Sequence, residues 1–240
     1  MAQEPVEQEA VALASVVMSA EHPKPVCQDV QIHPAGEVHI ITPTKRFQVF
    51  SAALRLSSPV FSRMFDPVSP FYEGQLLATS SKDSPASVTL KEDDPEALEV
   101  ILNIAHFNGH LVPTTLEDEK IFAVALLCDK YDMAKALRGY SLLWMVNLTI
   151  DDIKGSYAIR WLAASWAFRN EVLFELVTAY LVKYVKYRLK SPSEVEGEGA
   201  GKDTVVLLFH DGTELDTEGV SQKVLSMFVE SPTLQHLKTH

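Results

Sequence analysis

Two short segments contain residue types that phosphate binding or metal binding would use. Residues 197–202 (GEGAGK) have the glycines and lysine of a phosphate-binding loop. However, Glu196 stands at the position of the loop's first glycine, and Asp203 follows the lysine. His106 and His110 have the spacing of two ligands on one helix face, but Gly109 is expected to end that helix, and no third ligand is evident. Motifs for nucleophilic or zinc catalysis are absent from the sequence. We therefore expect no enzyme, no metal and no cofactor. The alternative is an enzyme whose catalytic site forms from residues of the C-terminal half that are scattered in sequence but converge in space.

Another group of residues has the composition of a nucleic-acid-binding face. Basic side chains interleaved with aromatic ones are typical of such surfaces. Cations are also expected at the C-terminal end of any helix, and tyrosines four residues apart suit packing. The net charge of −11 opposes contact with a phosphate backbone, so we expect no nucleic-acid partner. The residues in question are Tyr180, Lys183, Tyr184, Lys186, Tyr187, Arg188 and Lys190.

The composition is typical of a folded intracellular protein. Of the 240 residues, 47% are hydrophobic, and no apolar run approaches the roughly 18 residues that span a bilayer. Cys27 and Cys128 are far apart and form no paired pattern, which argues against a disulfide framework. Glu4, Glu7 and Glu9 precede a small apolar stretch, whereas a secretory signal has positive charge there. We expect a location in the nucleus or cytoplasm and no membrane partner.

Hydrophobic periodicity predicts a small sheet interleaved with helices. Ser51, Ser58 and Asp94 are predicted to cap helix N-termini, and proline follows the last two at the first helical position. Alternating apolar residues predict the strands, and Ser-rich and Pro-rich sequence predicts a long loop. The predicted strands cover 30–32, 38–41, 47–50 and 88–90, and the predicted loop covers 66–87.

Further along the chain the pattern becomes almost entirely helical. Asn170 is predicted to cap one of these helices, and Asp211-Gly212 has the residue types of a tight hairpin turn. The predicted helices cover 116–130, 132–143, 150–168, 171–189 and 218–229, and the predicted hairpin strands cover 205–209 and 213–215.

Three separated segments, in this order along the chain, resemble a BTB/POZ domain. They are 47–65 (FQVFSAALRLSSPVFSRMF), 88–106 (VTLKEDDPEALEVILNIAH) and 124–140 (VALLCDKYDMAKALRGY). The sequence of these segments is most similar to that of BTB proteins from filamentous fungi, with Cys128 where the family usually has alanine. The resemblance implies an α+β, mainly helical fold in which a small sheet flanks a helix cluster.

The resemblance also implies a division of the chain. We expect an N-terminal tail or short helix over 1–27 and a BTB/POZ domain over 28–145. A helical C-terminal extension with a β-hairpin is expected over 146–240, with an acidic loop over 191–203.

The family suggests protein–protein interaction as the function. We expect a homodimerising adaptor that links an unknown target protein to a cullin-type ubiquitin ligase. The alternative is a self-assembling scaffold, or a transcription-associated regulator that does not contact DNA.

The resemblance assigns protein-binding roles to three residues. Cullin-binding members of the family carry a hydrophobic-x-acidic motif in the loop that follows the second helix, and Phe71 and Glu73 match it. The alternative is that Phe71 packs onto its own core. Tyr131 matches a family tyrosine near the scaffold-facing surface, although a tyrosine at a helix end with its hydroxyl in water explains it as well.

The resemblance also suggests a dimer interface. Asp29 matches the acidic member of a charged pocket at the family's dimer groove, but Phe50 and Ser51 stand where histidine and a basic residue are expected. Asp29 is otherwise only a residue at the end of a strand. Apolar residues near the N-terminus have helical spacing and would pack across a two-fold axis, unless the segment is a disordered acidic tail. These residues are Val6, Leu13 and Val17.

Overall fold

The computed structural model describes residues 27–68, 70–149, 151–153, 157–190 and 204–209. In these ranges the chain has an α+β fold that is mainly helical. The strands are β1 (Gln28–Gln31), β2 (Val38–Ile41), β3 (Lys45–Val49), β4 (Ala86–Thr89), β5 (Val185–Lys190) and β6 (Thr204–Phe209). The helices are α1 (Ser51–Ser57), α2 (Pro59–Met64), α3 (Tyr72–Leu77), α4 (Pro95–Ala105), α5 (Asp118–Lys130), α6 (Ala134–Trp144), α7 (Ala158–Ala167) and α8 (Glu171–Tyr184).

Three of the four predicted helix caps are confirmed. The Asp94 carboxylate accepts a hydrogen bond from the Ala97 N–H at 2.7 Å, and Ser58 and Asn170 each accept one from the third residue after them. Such bonds satisfy backbone donors that have no partner within the helix. The prediction for Ser51 is wrong, because Ser51 is the first residue of α1 and its hydroxyl donates to the Glu37 carboxylate instead.

Strands β1 to β4 form one sheet in the order β1-β3-β2-β4. β2 and β3 are antiparallel, whereas β1 is parallel to β3 and β4 is parallel to β2. Alternate residues of β2 and β3 face the core, with Ile40 opposite Phe47 and both fully buried. The turn before β2 requires Gly36, because a Cβ atom there would lie 2.7 Å from the Val49 carbonyl oxygen.

The core is continuous from the sheet to α8. α4 packs against both β3 and α5, and α7 packs against α5 through an edge-to-face contact between Phe122 and Trp161, whose ring centroids lie 4.7 Å apart. Arg160 of α7 forms an ion pair with Glu119 of α5 at 3.2 Å. The predicted extension therefore shares its apolar core with the region that resembles a BTB/POZ domain.

The predicted loop over 66–87 contains a helix. α3 lies within it, and its periodicity is weak because six residues provide fewer than two turns. The predicted helix over 150–168 is shorter than expected, since α7 begins at Ala158.

The predicted helix over 171–189 ends early. α8 stops at Tyr184 and the chain continues directly into β5, which pairs antiparallel with β6. The valine, tyrosine and leucine of β5 alternate with basic residues, and this pattern suits a strand once a partner strand supplies backbone hydrogen bonds. The basic and aromatic residues over 180–190 therefore do not share one helix face, and the predicted partner strand over 213–215 lies outside the described residues.

Several predicted features fall on parts of the chain that the structure does not describe. They include Val6, Leu13 and Val17, the acidic loop over 191–203 and the closing helix over 218–229. Among the residues that are described, no helix is both long enough and apolar enough to cross a membrane.

Candidate protein-interaction surface

The short helix α3 is held closely against the end of α2. Gly74 is buried, and a Cβ atom at this position would lie 2.1 Å from the Asp66 carbonyl oxygen, so only glycine allows this approach. The Asp66 carboxylate accepts a hydrogen bond from the Val68 N–H at 3.0 Å, which shapes the turn between the two helices. These contacts fix where α3 lies.

Large apolar side chains project from this segment. Phe71 is 53% exposed and therefore does not belong to the protein's own core, and Tyr72 and Val68 are more exposed still. Glu73 is half-buried in the first turn of α3, where a negative charge interacts favourably with the helix dipole. We name Val68, Phe71, Tyr72 and Glu73 the α3 surface. It combines aromatic area with one acidic group.

Tyr131 lies in the core, so the expectation that its hydroxyl faces water is wrong. Its side chain is 1% exposed, its hydroxyl donates to the Asp93 carboxylate, and its ring stacks on Phe61 with 4.4 Å between centroids. Burial, together with the Asp93 hydrogen bond, raises the pKa of Tyr131 well above its usual range. A partner cannot reach this side chain while the domain is folded.

Tyr131 instead supports the helices that lead to α3. The Ser58 hydroxyl donates to the Tyr131 carbonyl at 2.5 Å while it caps α2, so one hydroxyl links the end of α5 to the start of α2. Lys130 completes the cluster with a 2.5 Å ion pair to the buried Asp93 carboxylate. Sequence reasoning missed Asp93, because it comes to Tyr131 only through the packing of α4 on α5.

Asp29 is paired with a basic residue of the neighbouring strand. Its carboxylate forms two hydrogen bonds with the Arg46 guanidinium, at 2.6 and 2.7 Å, and these hold the pKa of Asp29 below its usual value. β1 is parallel to β3, so Asp29 lies opposite Arg46 and away from residue 51. The carboxylate that accepts the Ser51 hydroxyl belongs to Glu37, just before β2.

His106 lies beneath the start of α1. Its Nε2 accepts a hydrogen bond from the Phe50 N–H at 2.9 Å, and its Nδ1 donates to the Leu102 carbonyl at 2.8 Å. This arrangement requires neutral imidazole, and burial lowers the pKa of His106. His110 is exposed, and within the described residues no group of three or more His, Cys, Asp or Glu side chains is placed to hold a metal.

Comparison with known proteins does not assign this structure to a family. No family model matches the chain, and no curated protein matches it. The resemblance to BTB/POZ domains therefore rests on the three sequence segments named above. The α3 surface lies between the first two of these segments and carries exposed aromatic side chains.

Proposed function

We propose that the chain is a BTB/POZ-type protein–protein interaction module that acts as a homodimerising adaptor. The observation that carries this proposal is the α3 surface, where Phe71 and Tyr72 stand exposed on a helix fixed by Gly74. Exposed aromatic side chains on a rigid base are the usual anchors of protein interfaces, because they bury a large area and lose few rotamers. No nucleic acid, membrane or cofactor enters this proposal.

The proposed partner of the α3 surface is a cullin-type scaffold. Phe71 and Glu73 provide the hydrophobic-x-acidic pair that the resemblance associates with such a scaffold, whose helix offers an apolar pocket. Phe71 would enter the pocket, and the charge of Glu73 would favour one register of binding. Residues 146–240 would contact the target protein or support the scaffold.

Titration calorimetry of the full chain with the N-terminal region of a fungal cullin tests this proposal. We expect a dissociation constant no weaker than tens of micromolar, and we expect Phe71→Ala to weaken binding about tenfold or more. Leu142→Ala is the matched control, because Leu142 lies on α6 and is 52% exposed, almost the same fraction as Phe71. Equal affinity of both variants, or no binding by the wild-type chain, would contradict the proposal.

A second candidate function is self-assembly without a cullin. It is favoured by β1, which is the end strand of its sheet and leaves its outer edge unpaired among the described residues. An open edge offers backbone donors and acceptors to a second strand. Light scattering on the full chain and on a chain without residues 1–25 tests self-assembly. A dimer in both would place the interface in the described domain, a dimer lost on truncation would place it in the N-terminal segment, and a monomer in both would exclude homodimerisation.

A further inference from the structure

Helix α8 is apolar on more than one side. Leu173, Val177 and Leu181 are buried and α8 packs against α7. Val172 and Leu176 are exposed on other sides of the same helix. A solvated helix usually keeps a polar face opposite its buried one. α8 has exposed Glu171, Glu175 and Lys183, but it also exposes apolar area beyond the face that packs on α7.

A groove runs along α8 on the side away from its buried residues. Two adjoining depressions, of about 320 and 440 Å³, share Phe174 and Glu175. The first begins at Trp166 and Arg169, near the start of α8, and the second extends to Val182 near its end. Together they form a continuous surface, which we name the α8 groove.

The second depression of the α8 groove has a mainly apolar lining. Thr178 and Ala179 form its floor with Phe174 and Val182. The hydroxyl oxygen of Thr178 is shielded from solvent and has no hydrogen-bond partner among the described residues. Exposed apolar surface of this kind favours an apolar occupant over solvent.

The end of β6 lies close to the C-terminal end of α8. β6 pairs antiparallel with β5 in a register that places Phe209 opposite Val185, the residue immediately after α8. The 31 residues that follow Phe209 in the sequence therefore begin at the C-terminal end of α8. Residues 210–217 give eight positions in which the chain can reverse direction.

The sequence that follows matches the α8 groove in length and polarity. Val220, Val224, Met227 and Phe228 have the spacing of one apolar helix face. As a helix, 218–229 would be about 18 Å long, against about 21 Å for α8 at 1.5 Å per residue.

We propose that residues 218–229 dock as an antiparallel helix in the α8 groove. The proposal goes beyond the adaptor function: it assigns this side of the C-terminal extension to the protein's own chain, so a target protein must bind elsewhere on 146–240. The groove would then be closed by the side chains of Val220, Val224, Met227 and Phe228.

Hydrogen exchange on the full chain tests the docking. We expect the amides of 220–229 to be protected in the wild-type protein and about tenfold less protected in Ala179→Glu, which places a charge on the groove floor. Leu176→Glu is the matched control, because Leu176 is exposed on the same helix and does not line the groove. Retained protection in the control together with loss in Ala179→Glu supports docking.

A variant in the docking segment separates loss of docking from loss of folding. Val224→Glu leaves α8 itself unchanged, and we expect it to speed exchange in α8 over 174–182 while α4 and α5 keep their protection. Unprotected 220–229 amides in the wild-type chain would overturn the proposal, as would protection unaffected by either groove-facing variant. Protection that appears only as protein concentration rises would show that a second copy occupies the groove, and would also overturn it.

Discussion

The α3 surface and the α8 groove both expose apolar side chains, but they differ in the size and shape of the structural element that carries those side chains. The α3 surface offers a few large side chains on a six-residue helix fixed in place by Gly74 and Asp66. The α8 groove is a long face with a mainly apolar half, next to the point where the chain leaves β6. A small rigid aromatic group suits another protein, whereas a long apolar face beside 31 further residues suits the chain's own continuation.

The contacts beneath the two surfaces differ in the same way. Beneath the α3 surface, hydrogen bonds made by Asp93, Tyr131 and Ser58 connect α5 to α2. Beneath α8, the contact between Phe122 and Trp161 joins α5 to α7 mainly by aromatic packing. Directional polar bonds fix the position of a short helix, while apolar packing supplies most of the stability of the longer ones.

The largest expected loss of stability comes from a buried side chain of α7. Trp161→Ala removes a fully buried indole ring and should lower the free energy of unfolding by about 3–5 kcal/mol, as measured by urea denaturation. The indole N–H of Trp161 has no hydrogen-bond partner among the described residues, so Trp161→Phe should cost much less.

Trp144 provides the contrast for that substitution. Its indole N–H donates to the Pro113 carbonyl at 2.8 Å. Trp144→Phe therefore replaces the indole with a smaller ring and also removes the hydrogen-bond donor of that carbonyl. Trp144→Phe should therefore destabilise the protein more than Trp161→Phe. If Trp161→Phe lowered the free energy of unfolding more than Trp144→Phe, hydrogen bonding would contribute to the α7 region as strongly as packing does.

The next effect tests the polar contacts beneath the α3 surface. Tyr131→Phe keeps the stacked ring but leaves the buried Asp93 carboxylate without its hydroxyl donor, which should cost about 1–3 kcal/mol. Tyr157→Phe, at an exposed tyrosine, should change the unfolding free energy by less than about 0.5 kcal/mol. Equal unfolding midpoints for the two variants would mean that Tyr131 contributes by packing alone.

A smaller effect depends on pH. Folding lowers the pKa of His106, so the unfolded chain binds a proton at a higher pH than the folded one. The stability that His106 contributes should be complete above pH about 6.5 and should be lost as the pH falls below that value. Thermal unfolding across pH 5 to 8 measures the slope, and His106→Gln should reduce it while His110→Gln, at an exposed site, leaves it unchanged.

The smallest effect concerns the two thiols. Cys128 is buried, and burial raises the pKa of its thiol to about 12, whereas Cys27 is exposed. A thiol reagent should label one cysteine per native chain within minutes and two after denaturation. Rapid labelling of Cys128 in the native protein would show that the packing of α5 against α7 opens readily.

Local signals were sufficient for much of the fold. Ser58 and Asp94 are each followed by proline, and Asn170 precedes a helix with the expected cap geometry, so these helix starts could be predicted from a few neighbouring residues. Strand β2 was predicted with its observed bounds because a proline and glycine turn precedes an alternating run.

The rest depended on contacts between distant residues. Tyr131 was misplaced because its partner Asp93 is 38 residues away in sequence. The strand β5 was read as a continuation of α8 because only pairing with β6 selects the extended form. The pairing of Asp29 with Arg46 could not be predicted, because the register of β1 on β3 cannot be read from sequence spacing. Phe71 and Glu73 were identified as candidate site residues, but their presentation on a helix held by Gly74 was not predicted.

Hydrogen exchange of the full chain, alone and with the N-terminal region of a cullin, tests the central comparison most directly. The amides over 68–77 should become more protected when the cullin is added. The α8 amides over 174–182 should be protected in both states and should not change. Unchanged exchange over 68–77 at saturating cullin, or rapid exchange over 174–182 in the free protein, would contradict the account.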